Sequence, residues 1–214
     1  MWHKVSPIAF RIPYIKNWAS NWYADKKSYA TSIAADNSIR AILKKELAGI
    51  PTWDIKISRK EDNVSIDIYT AKASLILWKD NENLSKIENK LSSEINAKVT
   101  VNVKEIKKPE LSSKIVGYSI TNQIEKRTPY KKAIKQAMSK AMEKGARWIK
   151  VKVWWRLNWA EIARKETFKE WSIPTLTIRS DIDYISTRAE TVYWTIWVKV
   201  WIYKWDIFKK SNVK

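Results

Sequence analysis

No cysteine occurs among the 214 residues, so neither a disulfide framework nor a thiolate metal site can be built. Histidine appears once, as His3, which removes the Ser-His and Cys-His catalytic pairs and the commonest zinc sets. No catalytic residue, metal ligand or cofactor is therefore expected. Nowhere do 18 uncharged apolar residues follow one another, so no helical membrane span is expected. The opening "MWHKVSPIAFRI" lacks an apolar run followed by a small-residue cleavage site, and a cytoplasmic location is the expectation. Glycine is the least ordinary shortage. Only Gly49, Gly117 and Gly145 are present, where ordinary usage of about 7% would supply roughly 15. Tryptophan, with 14 copies, is in matching excess.

What is present in quantity is positive charge. Lys and Arg total 41 against 22 acidic residues, a net charge of +19. Such a charge repels itself in the compact state and implies a polyanionic partner. Nucleic acid fits best, because each phosphate contact releases condensed counterions; an acidic membrane surface is the second candidate. The apolar share of 45% is that of an ordinary globular chain, so a packed core is expected rather than disorder.

The periodicity divides the chain in two. Residues 1–16 are basic, carry Pro7 and Pro13, and read as an extended tail. A helix is expected from about Asp25 to Leu47, with Ile39, Ile42, Leu43 and Leu47 on one side and Gly49 as its stop. "DIKISRKEDNVSIDIYTA" alternates as two strands about a charged turn. Residues 82–95 return to helical spacing through Leu84, Ile87, Leu91 and Ile95, and 98–106 alternate again. "KKPEL" then breaks the pattern. Beyond it a helix runs to about Lys126, and another over 131–144 has Thr128 as expected N-cap, Pro129 at its first position and Gly145 as stop. Strands are expected at 147–155, 174–184 and 190–203. The organisation is α+β in both halves: tail 1–16, first domain 17–107, second domain 108–208 and a basic tail 209–214.

Three constellations could carry chemistry. On the helix at 131–144, Ala133, Ile134, Ala137, Met138 and Ala141 share a face, while Lys131, Lys132, Lys135 and Ser139 project elsewhere. That lysine edge could grip a phosphate backbone without reading bases, or be only a solvated face. The turn Trp78-Lys79-Asp80-Asn81 precedes a helix, where RNA-binding KH domains place a G-x-x-G loop against single-stranded backbone. Asn81 tolerates left-handed geometry, but Trp78 would fill the space the backbone must enter. The carboxylates Glu161, Glu166, Asp181 and Asp183 stand near Arg164 and Arg179 and read as structural ion pairs, not as an active site.

"ELAGI", "KKPEL", "SITNQIEKR", "WWRLNWAEIARKE", "IPTLTIRSDIDY" and "VKVWIYK" resemble, in order and spacing, the bacterial ribosomal protein S3 family of the small subunit. "WHKVSP" and "NWASNWYA" belong to the same pattern, so the resemblance covers about residues 1–208. It implies an N-terminal type II KH domain followed by a C-terminal α+β domain. It implies a place in the head of the small subunit, bound to ribosomal RNA, beside neighbouring head proteins and along the channel by which mRNA enters. Lys131, Lys132 and Lys135 match basic positions facing mRNA; Arg127, Arg156, Asn158 and Arg164 match positions near ribosomal RNA. The turn at 78–81 matches a G-K-K-G loop that keeps Lys79, loses both glycines and gains Asp80, whose charge opposes phosphate. A free-standing KH regulator is the alternative. A lysine-based lyase or nuclease and a membrane-active Trp/Lys protein are more distant ones.

The resemblance also joins the two compositional anomalies. Trp2, Trp78, Trp148, Trp155, Trp159, Trp171, Trp194, Trp197 and Trp205 fall where the family typically has glycine, with Trp53 and Trp154 at looser positions. Trp18, Trp22 and Trp201 match tryptophans of the family itself. Convergence on one rare residue points to UGA codons that mean glycine being read as tryptophan. If the tryptophans are literal, they are expected to overpack the C-terminal domain.

Overall fold

The computed structural model describes residues 5–47, 49–60, 63–77, 82–95, 97–158 and 160–208. They form two compact units, one from residue 18 to 107, the other joining the described part of 1–17 to that of 108–214.

In the first unit the elements follow as β1 (Ser20–Asn21), α1 (Tyr29–Glu46), β2 (Thr52–Lys60), β3 (Asn63–Thr70), α2 (Glu82–Ile95) and β4 (Lys98–Glu105). The sheet order is β1-β2-β3-β4. β2 and β3 pair antiparallel, while β3 and β4 run parallel, with Val64 opposite Val99 and Ile68 opposite Val103. A parallel neighbour needs a crossover, and α2 supplies it. Alternation along β3 sends Val64, Ile66 and Ile68 inward, where they meet Ile39 and Leu43 of α1 and Ile87 and Leu91 of α2. The segment between β3 and α2, which has no clear period, makes a 3-10 turn over Ala73–Leu75 and sinks Ile76 into the same core. Trp22 has a local role: its indole N–H donates to buried Asp36 at 2.9 Å, on α1.

The second unit holds α3 (Ser113–Glu125), α4 (Tyr130–Glu143), β5 (Trp148–Trp155), β6 (Arg164–Glu170), β7 (Ser180–Glu190) and β8 (Thr195–Asp206). Its sheet is antiparallel throughout, in the order β6-β5-β8-β7. Ile149, Val151 and Val153 of β5 and Ile196, Val198, Val200 and Ile202 of β8 face α3 and α4, and these residues make the core. α3 comes close to β7 because Gly117 lies between them; a Cβ there would meet Ile185 Cγ2 at 2.9 Å. Gly145, at φ 99°, ends α4 as its position suggests.

The fold departs from the sequence expectations at several points. β6 has no counterpart among the expected strands: its residues "RKETFKE" are charged and mostly exposed, as suits an edge strand that discourages further pairing. The last two strands begin later than the alternation suggests, at Ser180 and Thr195. Pro129, not Thr128, occupies the N-cap of α4, with no side-chain cap bond. The basic N-terminal segment is not an extended tail over residues 5–17. It turns through Ala9–Arg11 and buries Arg11 completely. The Arg11 guanidinium donates to the carbonyls of Ser180 (2.6 Å), Pro7 (2.9 Å), Thr177 (2.9 Å) and Thr175 (3.1 Å). Burial lowers its pKa, an effect opposed by the nearby charge of Asp181.

Overpacking does not occur either. None of the described tryptophans is buried, because strand alternation points Trp148 and Trp154 of β5, and Trp197, Trp201 and Trp205 of β8, away from the helices. The misfit lies in the backbone instead. Trp155 has φ 129° and Trp171 φ 62°, a region that favours glycine.

Asp181, Asp183 and Glu166 have structural partners, while Glu161 is exposed. Lys16 meets Asp181 at 2.8 Å, and Asp183 accepts the Ser113 N–H at 2.9 Å at the start of α3. Arg179 lies beside Asp206 (3.7 Å), not beside Asp181 or Asp183 as the sequence suggests. Asp206 also accepts the Ser180 hydroxyl at 2.7 Å, which is the main reason its pKa lies below the ordinary value. A folded value below the unfolded one means stability that is present above the usual carboxylate range and lost as pH falls through the folded value. Asp206→Asn is therefore expected to melt lower than the parent at neutral pH. The two melting curves should converge in acid.

Candidate nucleic-acid interface

α4 is built to hold a basic edge rigid. Its first turn follows Pro129, which cannot continue a helix backwards, and its apolar stripe of Ala133, Ile134, Ala137, Met138 and Ala141 is buried against the core. With that stripe fixed, Lys131, Lys132 and Lys135 must face solvent, and all three are exposed. The helical spacing read from the sequence thus places the three lysines together.

The buried Tyr130 connects this edge to β6. Its hydroxyl donates to Glu166 Oε2 at 2.9 Å and accepts from Arg164 Nη2 at 3.4 Å. Arg164 Nε lies 3.0 Å from Glu166 Oε1. The hydrogen bond to Tyr130 is the leading cause that raises the Arg164 pKa above its ordinary value. Lys131 Nζ stands 6.0 Å from the Tyr130 ring centre. The start of α4 and the start of β6 therefore present a fixed guanidinium beside the lysine edge.

Arg156 and Asn158 follow β5 directly, and Trp155 is the register partner of Arg164. Leu157, between them, is fully buried in the core, so both flanking side chains turn outward and are exposed. Asn158 adopts φ 53°, which asparagine tolerates better than most residues. Arg127 is exposed in the turn between α3 and α4 at φ 62°, its N–H bonded to Ile124 O at 2.9 Å. Trp78, Lys79, Asp80 and Asn81 lie outside the described residues.

Comparison with known proteins gives matches in both units. A family model described as ribosomal protein S3, C-terminal domain, matches residues 120–202, and one described as KH domain matches residues 38–111. The small ribosomal subunit protein uS3 of Hydrogenovibrio crunogenus is 41% identical over 213 residues, covering 100% of this chain and 93% of that protein. The uS3 protein of Xanthomonas euvesicatoria is 40% identical, with 100% and 87% covered. That of Verminephrobacter eiseniae is 39% identical, with 100% and 72% covered.

Proposed function

The chain belongs to the family of small ribosomal subunit protein uS3, and from that premise we propose that it binds ribosomal RNA and contacts mRNA through the edge of α4. Membership makes it a structural constituent of the small ribosomal subunit, in a non-enzymatic family with a KH domain and the S3 C-terminal domain. Its place is the cytoplasmic ribosome, and its partners are ribosomal RNA and other ribosomal proteins.

The observation that carries the finer reading is α4 itself. Three lysines within five residues are held outward by a buried apolar stripe. Phosphate contacts of this kind position a strand without reading its bases, which suits a channel that must pass every message. Arg156, Asn158 and Arg164 extend the same surface from the adjoining end of the sheet, with Arg127 in the preceding turn, and we assign them to ribosomal RNA.

The test is charge reversal in α4. Ribosomes carrying Lys131→Glu, Lys132→Glu and Lys135→Glu together are expected to translate messages with a stable hairpin several-fold more slowly. Unstructured messages should be little affected, and the circular dichroism of the purified variant should match the parent. Equal rates on both message types would remove the mRNA assignment. Failure of the parent chain to co-sediment with small subunits would favour a free-standing RNA-binding regulator.

A further inference from the structure

The outer face of the second unit's sheet points away from α3 and α4 and carries an ordered set of cations separate from the α4 edge. Register places its side chains in three rows across β6, β5, β8 and β7. The first row is Lys169, Lys150, Trp201 and Tyr184. The second is Thr167, Lys152, Lys199 and Ser186. The third is Lys165, Trp154, Trp197 and Arg188. These positions hold five lysines and one arginine and not a single carboxylate; Arg188, on the edge strand, meets Glu190 at 3.0 Å.

Two of the direct cross-strand pairs are lysine against lysine, Lys150 with Lys169 and Lys152 with Lys199. These pairs concentrate positive charge in rows that run across the strands, a pattern complementary to a line of phosphates. Rings lie among the charges. Trp201 and Tyr184 stand 5.1 Å apart between centres, Lys150 Nζ lies 5.4 Å from the Trp201 ring, and Lys165 Nζ 4.9 Å from Trp154. The face also forms the floor of a groove of about 820 Å³, walled by Pro7 and Phe10 of the N-terminal segment and by Trp171 and Leu176.

We propose that this open sheet face is a second RNA-binding surface, which takes a single-stranded segment of RNA with its phosphates on the lysine rows and bases stacked on Trp201 and Tyr184. Interleaved cations and flat rings fit such a strand: the cations follow the backbone and every base offers a face for stacking. A protein segment of ordinary charge offers no regular row of anions to match them. The cations and the Trp201–Tyr184 pair do not depend on what occupies positions 154 and 197. The inference builds on membership of a ribosomal family but not on the α4 assignment, because the two surfaces lie on opposite sides of the core.

The experiment uses the full chain and a fluorescent 20-nucleotide oligouridylate, titrated at several salt concentrations. Lys150→Gln, Lys152→Gln and Lys199→Gln together are expected to weaken binding at least tenfold. The slope of log affinity against log salt should become shallower by about two, since each lost single-strand phosphate contact removes about 0.7. Trp201→Ala should weaken binding about tenfold with an unchanged slope. The melting temperature of the triple variant should stay level or rise, as lysine–lysine repulsion is relieved. Binding and slope equal to the parent's would overturn the proposal. So would normal oligouridylate binding by a triple variant that fails to assemble into small subunits, which would assign the face to a protein neighbour. Loss confined to the triple glutamate variant of α4 would sink this face alone. Loss confined to the sheet variant would sink the α4 reading alone.

Discussion

Glycine at positions 155 and 171 is expected to give a more stable protein than alanine, by about 1–2 kcal/mol at each, an inversion of the usual order. Trp155 sits at φ 129° and Trp171 at φ 62°, where a Cβ crowds the neighbouring carbonyl and glycine, having none, is spared. Alanine removes the indole as fully as glycine does, so the difference between the two variants isolates the backbone term. Trp148 and Trp197 serve as controls, because they lie within β5 and β8 and are absent from the positive-φ positions. There alanine should exceed glycine by about 0.5–1 kcal/mol, the ordinary entropic handicap of glycine in a strand. Thermal melts resolve this, since 1 kcal/mol moves the midpoint by about 2–4 °C in a chain of this size. If alanine wins at all four positions, the backbone at 155 and 171 is not strained.

The same two positions bear on the excess of tryptophan. Trp155 and Trp171 are among the nine tryptophans that the sequence resemblance sets against glycine, and both have a backbone conformation that suits glycine. The gene is expected to carry UGA at those nine positions and UGG at Trp18, Trp22 and Trp201. UGG at all fourteen would dismiss the decoding explanation and leave the tryptophans literal.

Removing the Arg11 side chain is expected to be more damaging than any other single change outside the core. Its guanidinium is fully buried and serves backbone carbonyls on both sides of the 174–180 loop. Arg11→Met keeps much of the volume but removes the side-chain donor from each of those carbonyls, of which Thr177 O retains the Ser180 N–H at 3.3 Å, a loss of about 3–5 kcal/mol if they stay buried. The chain can limit that cost by releasing the N-terminal segment, so the signature is local as well as global. Amide exchange should accelerate in residues 5–17 and 172–181, with β5 and β8 last to follow. Arg11→Lys should rescue little, because one ammonium cannot reach the carbonyls that a planar fork reaches together. Unchanged exchange in the methionine variant would show that the segment is held by other contacts.

Much of the fold is legible in the chain itself. The 3.6-residue spacing of Ile39, Leu43, Ile87 and Leu91 and the alternation of Val64, Ile66 and Ile68 mark their elements directly, because each pattern is the imprint of one buried face. The lysine edge of α4 is legible for the same reason: its residues are neighbours on one helix, within a turn of each other. β6 is not, since Phe168 is the one apolar residue of the strand that packs on the core, too little for an alternation to show. Nor is the docking of Arg11, whose partners apart from Pro7 lie more than 160 residues away.

By itself, then, the sequence determined the α+β order of the two halves, the absence of thiol chemistry, the demand for a polyanionic partner and the lysine edge. All of these follow from local spacing or from counts. Tertiary structure alone decided that no described tryptophan is fully buried, although Trp194 packs against the core, that positions 155 and 171 carry a backbone suited to glycine, and that the N-terminal segment folds back onto its own unit. It alone assembled the lysine rows of the open sheet face. Lys169, Lys150, Trp201 and Tyr184 come from four separate strands, and only the pairing order β6-β5-β8-β7 brings them side by side. Strand pairing is a long-range choice made by the whole core, and no stretch of the chain records it locally.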